Sequence, residues 1–162
     1  MVTTTDDAAL WRGWFDAAAR AEVDAALRAL YADLDAAVTA RGPTCWLSGK
    51  CCNFDAYGHR LYVTALEVAW VLLQVGPRAD AQPQASGDGC VFQVGKMCGV
   101  HAVRPLGCRV FFCEQGTQQW QQDLYESMLA RLRTLHDGHG VEYRYLEWRA
   151  GLTAARAARA GG

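Results

Sequence analysis

The chain lacks a charge bias. Its 162 residues carry 16 Lys and Arg against 17 Asp and Glu, a formal net charge of −1. The signs are mixed and no polybasic run occurs, so no overall field draws the protein to nucleic acid or an anionic membrane. The opening segment MVTTTDDAALWRGWF has neither the basic n-region nor the apolar h-region of a secretory signal. The longest apolar stretch, Val68 to Val71 and on to Leu73, is far too short to span a bilayer. The expectation is a cytoplasmic protein with no nucleic-acid or membrane partner. Nothing resembles a nucleotide-binding loop, a catalytic triad or a carboxylate pair, and there is no internal repeat. Residues 1–44 and 114–162 contain no cysteine at all.

All seven cysteines therefore lie between the flanks: Cys45, Cys51, Cys52, Cys90, Cys98, Cys108 and Cys113. Their number is odd and the expected compartment is reducing, so a disulfide framework fits poorly. With 51% hydrophobic residues, a core can form without disulfide staples. Cysteine used only as a small core hydrophobe would scatter; these cluster.

The flanks read as helices. Residues 7–40 carry an apolar group at Leu10, Trp11, Trp14 and Phe15, then Val23, Leu27, Leu30, Tyr31, Leu34 and Val38 at helical spacing, with an interruption expected at Gly13. Gly42-Pro43 stops this helix. Arg60 to Val63 reads as extended. A second helix follows, opened by Thr64 and Glu67 as a capping box with Val63 and Val68 as hydrophobic staple, and closed by Gly76-Pro77. Residues 77–89 form a polar loop, and residues 90–113 show no helical period. A third helix is expected from the N-cap Thr117 to His136, with Trp120, Leu124, Met128, Leu132 and Leu135 on one face. His136 and His139 then fall at its C-terminus, where imidazolium complements the helix dipole. VEYRY (141–145) alternates like a strand or leads into a final helix. The expected fold is mainly α: one small helical domain over 1–162, with a cysteine-cluster region at 45–113 enclosed by helical flanks.

Thiolates are soft ligands that suit zinc, copper(I) and iron–sulfur clusters. Zinc ribbons usually show two CxxC knuckles. Here the gaps are five residues, none, a long loop, then seven, nine and four, and no CxxC occurs. Cys98-Gly-Val-His101 is the nearest approach to a knuckle. Irregular spacing, and more thiols than one tetrahedral zinc needs, favour an iron–sulfur cluster of the four-iron (4Fe–4S) kind, with zinc as the alternative.

These residues carry a resemblance. Cys45-Trp-Leu-Ser48-Gly49-Lys-Cys51-Cys52 is similar to a C-x2/3-C-G-x-C-C block. Cys90, followed by Cys98-Gly-Val100-His101-Ala-Val-Arg104-Pro105-Leu-Gly-Cys108-Arg109-Val-Phe111-Phe-Cys113, is similar to C-x(n)-C-x-[IV]-[YH]-x2-R-P-x2-C-R-x-F-x-C. Between them, LYVTALEVAWVL resembles an L-x-V-T-x-x-E helix start. Over residues 45–113 the chain thus resembles the YkgJ-like cysteine-cluster family, described as zinc- or iron-chelating. Ser48 stands where that family often has a cysteine, and His101 where Tyr is more frequent, so His101 is a candidate compensating ligand. The resemblance implies metal or cluster binding and no particular reaction, substrate or protein partner. His59 has no counterpart in the motif.

Arg104 and Arg109 carry two readings. They are surface charges, or they are cofactor-side donors to a thiolate-rich centre, with Pro105 holding the backbone beside them. The tryptophans read as core, except Trp46, which sits between candidate ligands where it would shield a cluster. Three functions follow: a cluster-binding protein with a redox or cluster-dependent role, a structural zinc protein acting as an interaction module, or metal handling.

Overall fold

The helix that opens at Thr64 and Glu67 forms the middle of the molecule. The computed structural model describes residues 4–42, 60–76, 90–94, 97–111, 114 and 116–161. Cys45, Trp46, Ser48, Cys51, Cys52, His59, Cys113 and the 77–89 loop lie outside the described residues. The elements are α1 (Thr4–Ala19), α2 (Ala21–Arg41), β1 (Tyr62–Thr64), α3 (Ala65–Val75), β2 (Gln93–Val94), β3 (Met97–Cys98), a single 3-10 turn (His101–Val103), α4 (Leu106–Val110), α5 (Gln118–His139), β4 (Tyr145–Glu147) and α6 (Trp148–Ala160). The fold is mainly helical. Among the described residues no helix is long and apolar enough to cross a membrane.

Every residue of α3 from Ala65 to Leu72 is buried, because α1 and α6 pack on it and β1 adjoins its start. A helix apolar all round can persist only where neighbours cover each face. The capping box at its start is complete, and Val63 and Val68, the expected staple, are both buried. Behind this layer α2 packs on α5, and the short α4 sits against both.

The first helical segment breaks at Arg20, not at Gly13. Gly13 lies inside α1, where burial of Trp11 and Trp14 on the opposite face outweighs the ~1 kcal/mol helix penalty of glycine. Arg20 is extended, with φ −70 and ψ 133, and its guanidinium donates to the His139 carbonyl at 2.9 Å. Gly42 and Gly76 close α2 and α3 with positive φ, as the Gly-Pro pairs suggested. Helix α5 runs three residues beyond His136, to His139, and Gly140 ends it at φ 64. Thr117 is its N-cap by position, but its hydroxyl donates to the Glu114 carbonyl instead of capping.

Residues 141–145, which read as a strand or as the lead into a final helix, lead into both: α6 starts at Trp148, and the strand forms at Tyr145–Glu147, as β4. It pairs antiparallel with β1 in the register Tyr62 to Glu147, Val63 to Leu146 and Thr64 to Tyr145. Two backbone bonds extend this ribbon, Ala65 N–H to the Arg144 carbonyl at 2.9 Å and Trp148 N–H to the Leu61 carbonyl at 2.8 Å. They fix the start of α3 at one end of the ribbon and the start of α6 at the other.

Trp11, Trp14, Trp70 and Trp148 are the largest fully buried side chains, in keeping with their reading as core. A buried indole N–H needs a partner. Trp14 donates to the Glu142 carbonyl at 2.9 Å, Trp70 to Asp24 Oδ1 at 2.8 Å, and Trp148 to Cys90 Sγ at 3.4 Å.

Candidate functional site

The described cysteines lie on three short pieces of chain. Cys90 is buried at 6% exposure and opens a turn in which its carbonyl accepts Gln93 N–H at 3.1 Å. Cys98, half-buried, ends β3 opposite Gln93 in the hairpin formed with β2. Cys108, also half-buried, lies in α4. Among the described residues no three His, Cys, Asp or Glu side chains are close enough to hold a metal ion. These three thiols are thus soft donors of the right chemistry that do not complete a site by themselves.

Two glycines set how closely this region packs. A Cβ on Gly99 would stand 2.7 Å from the Phe92 carbonyl oxygen, which accepts the Gly99 N–H at 2.8 Å. A Cβ on Gly107 would stand 2.5 Å from Leu61 Cδ1, so α4 packs directly on the residue before β1, whose side-chain end would have to shift to admit a methyl.

The segment from His101 to Val110 is held by its own arginines. Arg104 donates from Nε to the His101 carbonyl at 2.9 Å and from Nη1 to the Cys108 carbonyl at 3.1 Å. Arg109 donates from Nε to the Arg104 carbonyl at 2.6 Å, from Nη2 to the Ala102 carbonyl at 3.0 Å and from Nη1 to Asp35 at 2.9 Å. Arg109 is 5% exposed, so it is no surface charge, and its guanidinium stacks 4.3 Å above the Tyr31 ring. A buried guanidinium is tolerable only when its fork is matched by acceptors, as here. These hydrogen bonds of both arginines go to oxygen, and they shape the loop backbone between Cys98 and Cys108.

Glu67 ties that loop to the core. It is 1% exposed. Its Oε1 accepts the Tyr31 hydroxyl at 2.9 Å and the Leu106 N–H at 2.8 Å, while Oε2 accepts the Thr64 N–H at 3.0 Å and the Thr64 hydroxyl at 3.2 Å. One carboxylate thus joins α2, the start of α3 and the first residue of α4. The sequence signals only the capping box; nothing in it announces the bonds to Tyr31 and Leu106. Burial, then the carboxylate of Glu67, pushes the Tyr31 hydroxyl well above the usual phenol range, so it stays a donor.

His101 is exposed at the residue level, yet partial burial of its ring, then Arg104 and Arg109, push its pKa down. A neutral imidazole is the form able to ligate. His136 contradicts its reading as a dipole-complementing cation. It is fully buried, burial pushes its pKa down, and Nδ1 lies 3.3 Å and 3.1 Å from the carbonyls of Val141 and Glu142. The spacing Met128, Leu132, His136 places it on the buried face, a signal available in the sequence.

Searches among known proteins return nothing: no family model, curated protein or solved structure matches this chain. The site must be read from its own residues.

Phe111 leaves α4 exposed and packs 5.4 Å from Tyr125. The Tyr125 hydroxyl meets that of Tyr145, whose ring stacks on Tyr62 at 5.7 Å. An aromatic strip thus runs from the α4 end to the β1–β4 ribbon.

Proposed function

We propose that the chain is a metal-binding cysteine-cluster protein of the YkgJ-like kind, holding an iron–sulfur cluster through thiolates from residues 45–52 and 90–113. The observation that carries this reading is the confinement of all seven cysteines to residues 45–113, in a CC block and a CxVHxxRPxxCR block. Neither block alone has enough well-spaced ligands for a closed site, so the two act together. Cys45, Cys51, Cys52, Cys90, Cys98, Cys108 and Cys113 supply the candidate ligands, with His101 in reserve. Seven exceed the four that one cluster requires.

The bonding around α4 supports the reading. Arg104, Arg109 and Glu67 hold the backbone between Cys98 and Cys108 by hydrogen bonds to named oxygens and N–H groups, and ligands held before metal arrives lose less freedom on binding. The two guanidiniums also place positive charge near a centre that thiolates make negative, which favours the deprotonated ligands a metal needs. A bound cluster would supply one-electron redox chemistry; the chain's part is to ligate, orient and shield it.

Serine variants test the split site. Cys51→Ser and Cys108→Ser, one in each block, are each expected to lose most of the bound metal in anaerobically prepared protein. Retention of full metal by either variant removes that cysteine from the ligands. Stoichiometric zinc without sulfide in the parent protein would move the reading to the structural zinc module, and rapid zinc exchange to metal handling.

A further inference from the structure

Of the three indoles whose N–H partners are given above, two donate to oxygen and one to sulfur. Trp148 lies outside the cysteine blocks, at the first position of α6, and is 1% exposed. Its backbone is fixed independently of any metal. Its N–H bonds the Leu61 carbonyl at 2.8 Å, and the preceding Glu147 caps α6 by accepting the Ala150 N–H at 2.8 Å. The ring packs 6.1 Å from Phe92, beside which the Arg156 guanidinium lies 5.8 Å from the Phe92 centroid. Strand pairing and helix capping thus set the Trp148 backbone, and packing on Phe92 sets the ring that presents its N–H to Cys90 Sγ.

The acceptor matters. A neutral thiol accepts hydrogen bonds weakly, and a buried N–H held by a weak acceptor forfeits part of a bond. A metal-bound thiolate carries negative charge and accepts strongly. The buried pair at 3.4 Å is thus better matched when Cys90 is a ligand than when it is a core thiol. Hydrogen bonds to ligating sulfur withdraw electron density and are among the levers by which a protein tunes a cluster.

We propose that Trp148 is a positioning and tuning residue of the metal centre, its indole N–H donating to the metal-bound sulfur of Cys90. The inference rests on the metal reading above. It extends the centre beyond the two cysteine blocks to the start of the last helix.

The test uses the full chain, reduced and metal-free, titrated anaerobically with Co(II) alone, in four forms: parent, Trp148→Phe, Trp14→Phe and Cys90→Ser. Trp14 is the matched control, because it is equally buried and donates to the Glu142 carbonyl instead of sulfur. Trp148→Phe is expected to shift the thiolate-to-cobalt charge-transfer band to lower energy and weaken Co(II) binding about 10-fold, while Trp14→Phe keeps the parent band. Cys90→Ser is expected to reduce the band intensity; an unchanged band removes Cys90 from the ligands and overturns the inference even where Trp148→Phe does not fold. Parent-like spectra and affinity in Trp148→Phe overturn the role of Trp148 and leave the metal reading standing. Absence of any thiolate–cobalt band in the parent protein sinks the metal reading and this inference with it.

Discussion

Removing the carboxylate of Glu67 should unfasten three parts of the molecule at once. Glu67→Ala leaves the Tyr31 hydroxyl, the Thr64 N–H and the Leu106 N–H without their acceptor in a site only 1% exposed. An orphaned buried donor costs about 1–3 kcal/mol, so the three together should cost about 4–6 kcal/mol, allowing for some relaxation. That is a large share of the roughly 5–15 kcal/mol by which domains are stable. Glu67→Gln is the informative partner. Its amide oxygen can still accept from Tyr31 and Leu106, but its NH2 faces the Thr64 N–H, so only the capping-box half is lost, at about 1.5–3 kcal/mol. Urea denaturation followed by circular dichroism measures both costs. Hydrogen exchange at the Leu106 amide separates them: protection should vanish in the Ala variant and persist in the Gln variant. A cost below about 1 kcal/mol for Glu67→Ala, or equal costs for the two, would refute the view that this carboxylate couples α4 to the core.

Arg109→Lys keeps the charge but cannot span Asp35, Ala102 and Arg104 or stack on Tyr31. It should cost about 2–3 kcal/mol and lower the melting temperature by roughly 5–10 °C; a shift under about 1 °C would count against the stapled loop. Gly13→Ala places a methyl where nothing lies within 4 Å and should stabilise α1 by about 0.5–1 kcal/mol. Loss of stability there would mean the glycine is needed for packing. The His136 pKa is lowered in the fold, so the unfolded chain takes up the proton first, below about pH 6.5. The stability this provides is fully present above that pH and is lost as pH falls toward the lower folded value. His101 acts in the same direction, so the contrast with His136→Gln isolates His136: melting temperature should fall less between pH 7 and pH 5 in the variant, and equal slopes would contradict a buried neutral ring.

The helices were legible where periodicity and caps agree. Thr64 to Glu67 and the Gly-Pro stops mark their ends through local chemistry, and the structure keeps those ends. The break at Arg20 was not legible: no Gly or Pro marks it, and the Arg20 bond to the His139 carbonyl comes from far along the chain. The same holds for β4, whose register is set by β1, and for α4, a helix of five residues too short to show a period. Around the candidate site, sequence spacing singles out Cys90, Cys98, Cys108, Arg104 and Arg109. It cannot show that both arginines bind backbone carbonyls, or that Glu67 and Trp148, distant in sequence, reach α4 and Cys90. Residues 90–113 show no helical period in the sequence. Yet the 101–110 part is hydrogen-bonded through Arg104, Arg109 and Glu67, so a lost metal should loosen it less than its lack of periodicity suggests.

The most direct test of the metal reading is the composition of the protein itself. Iron, zinc and acid-labile sulfide are quantified per chain after anaerobic preparation, with the absorption spectrum recorded on the same sample. The account expects a brown protein with about four iron and four sulfide per chain, both lost on oxidation or chelation. A colourless protein whose only metal is stoichiometric zinc would contradict the iron–sulfur assignment, and a protein binding neither metal with its thiols reduced would contradict the metal centre altogether.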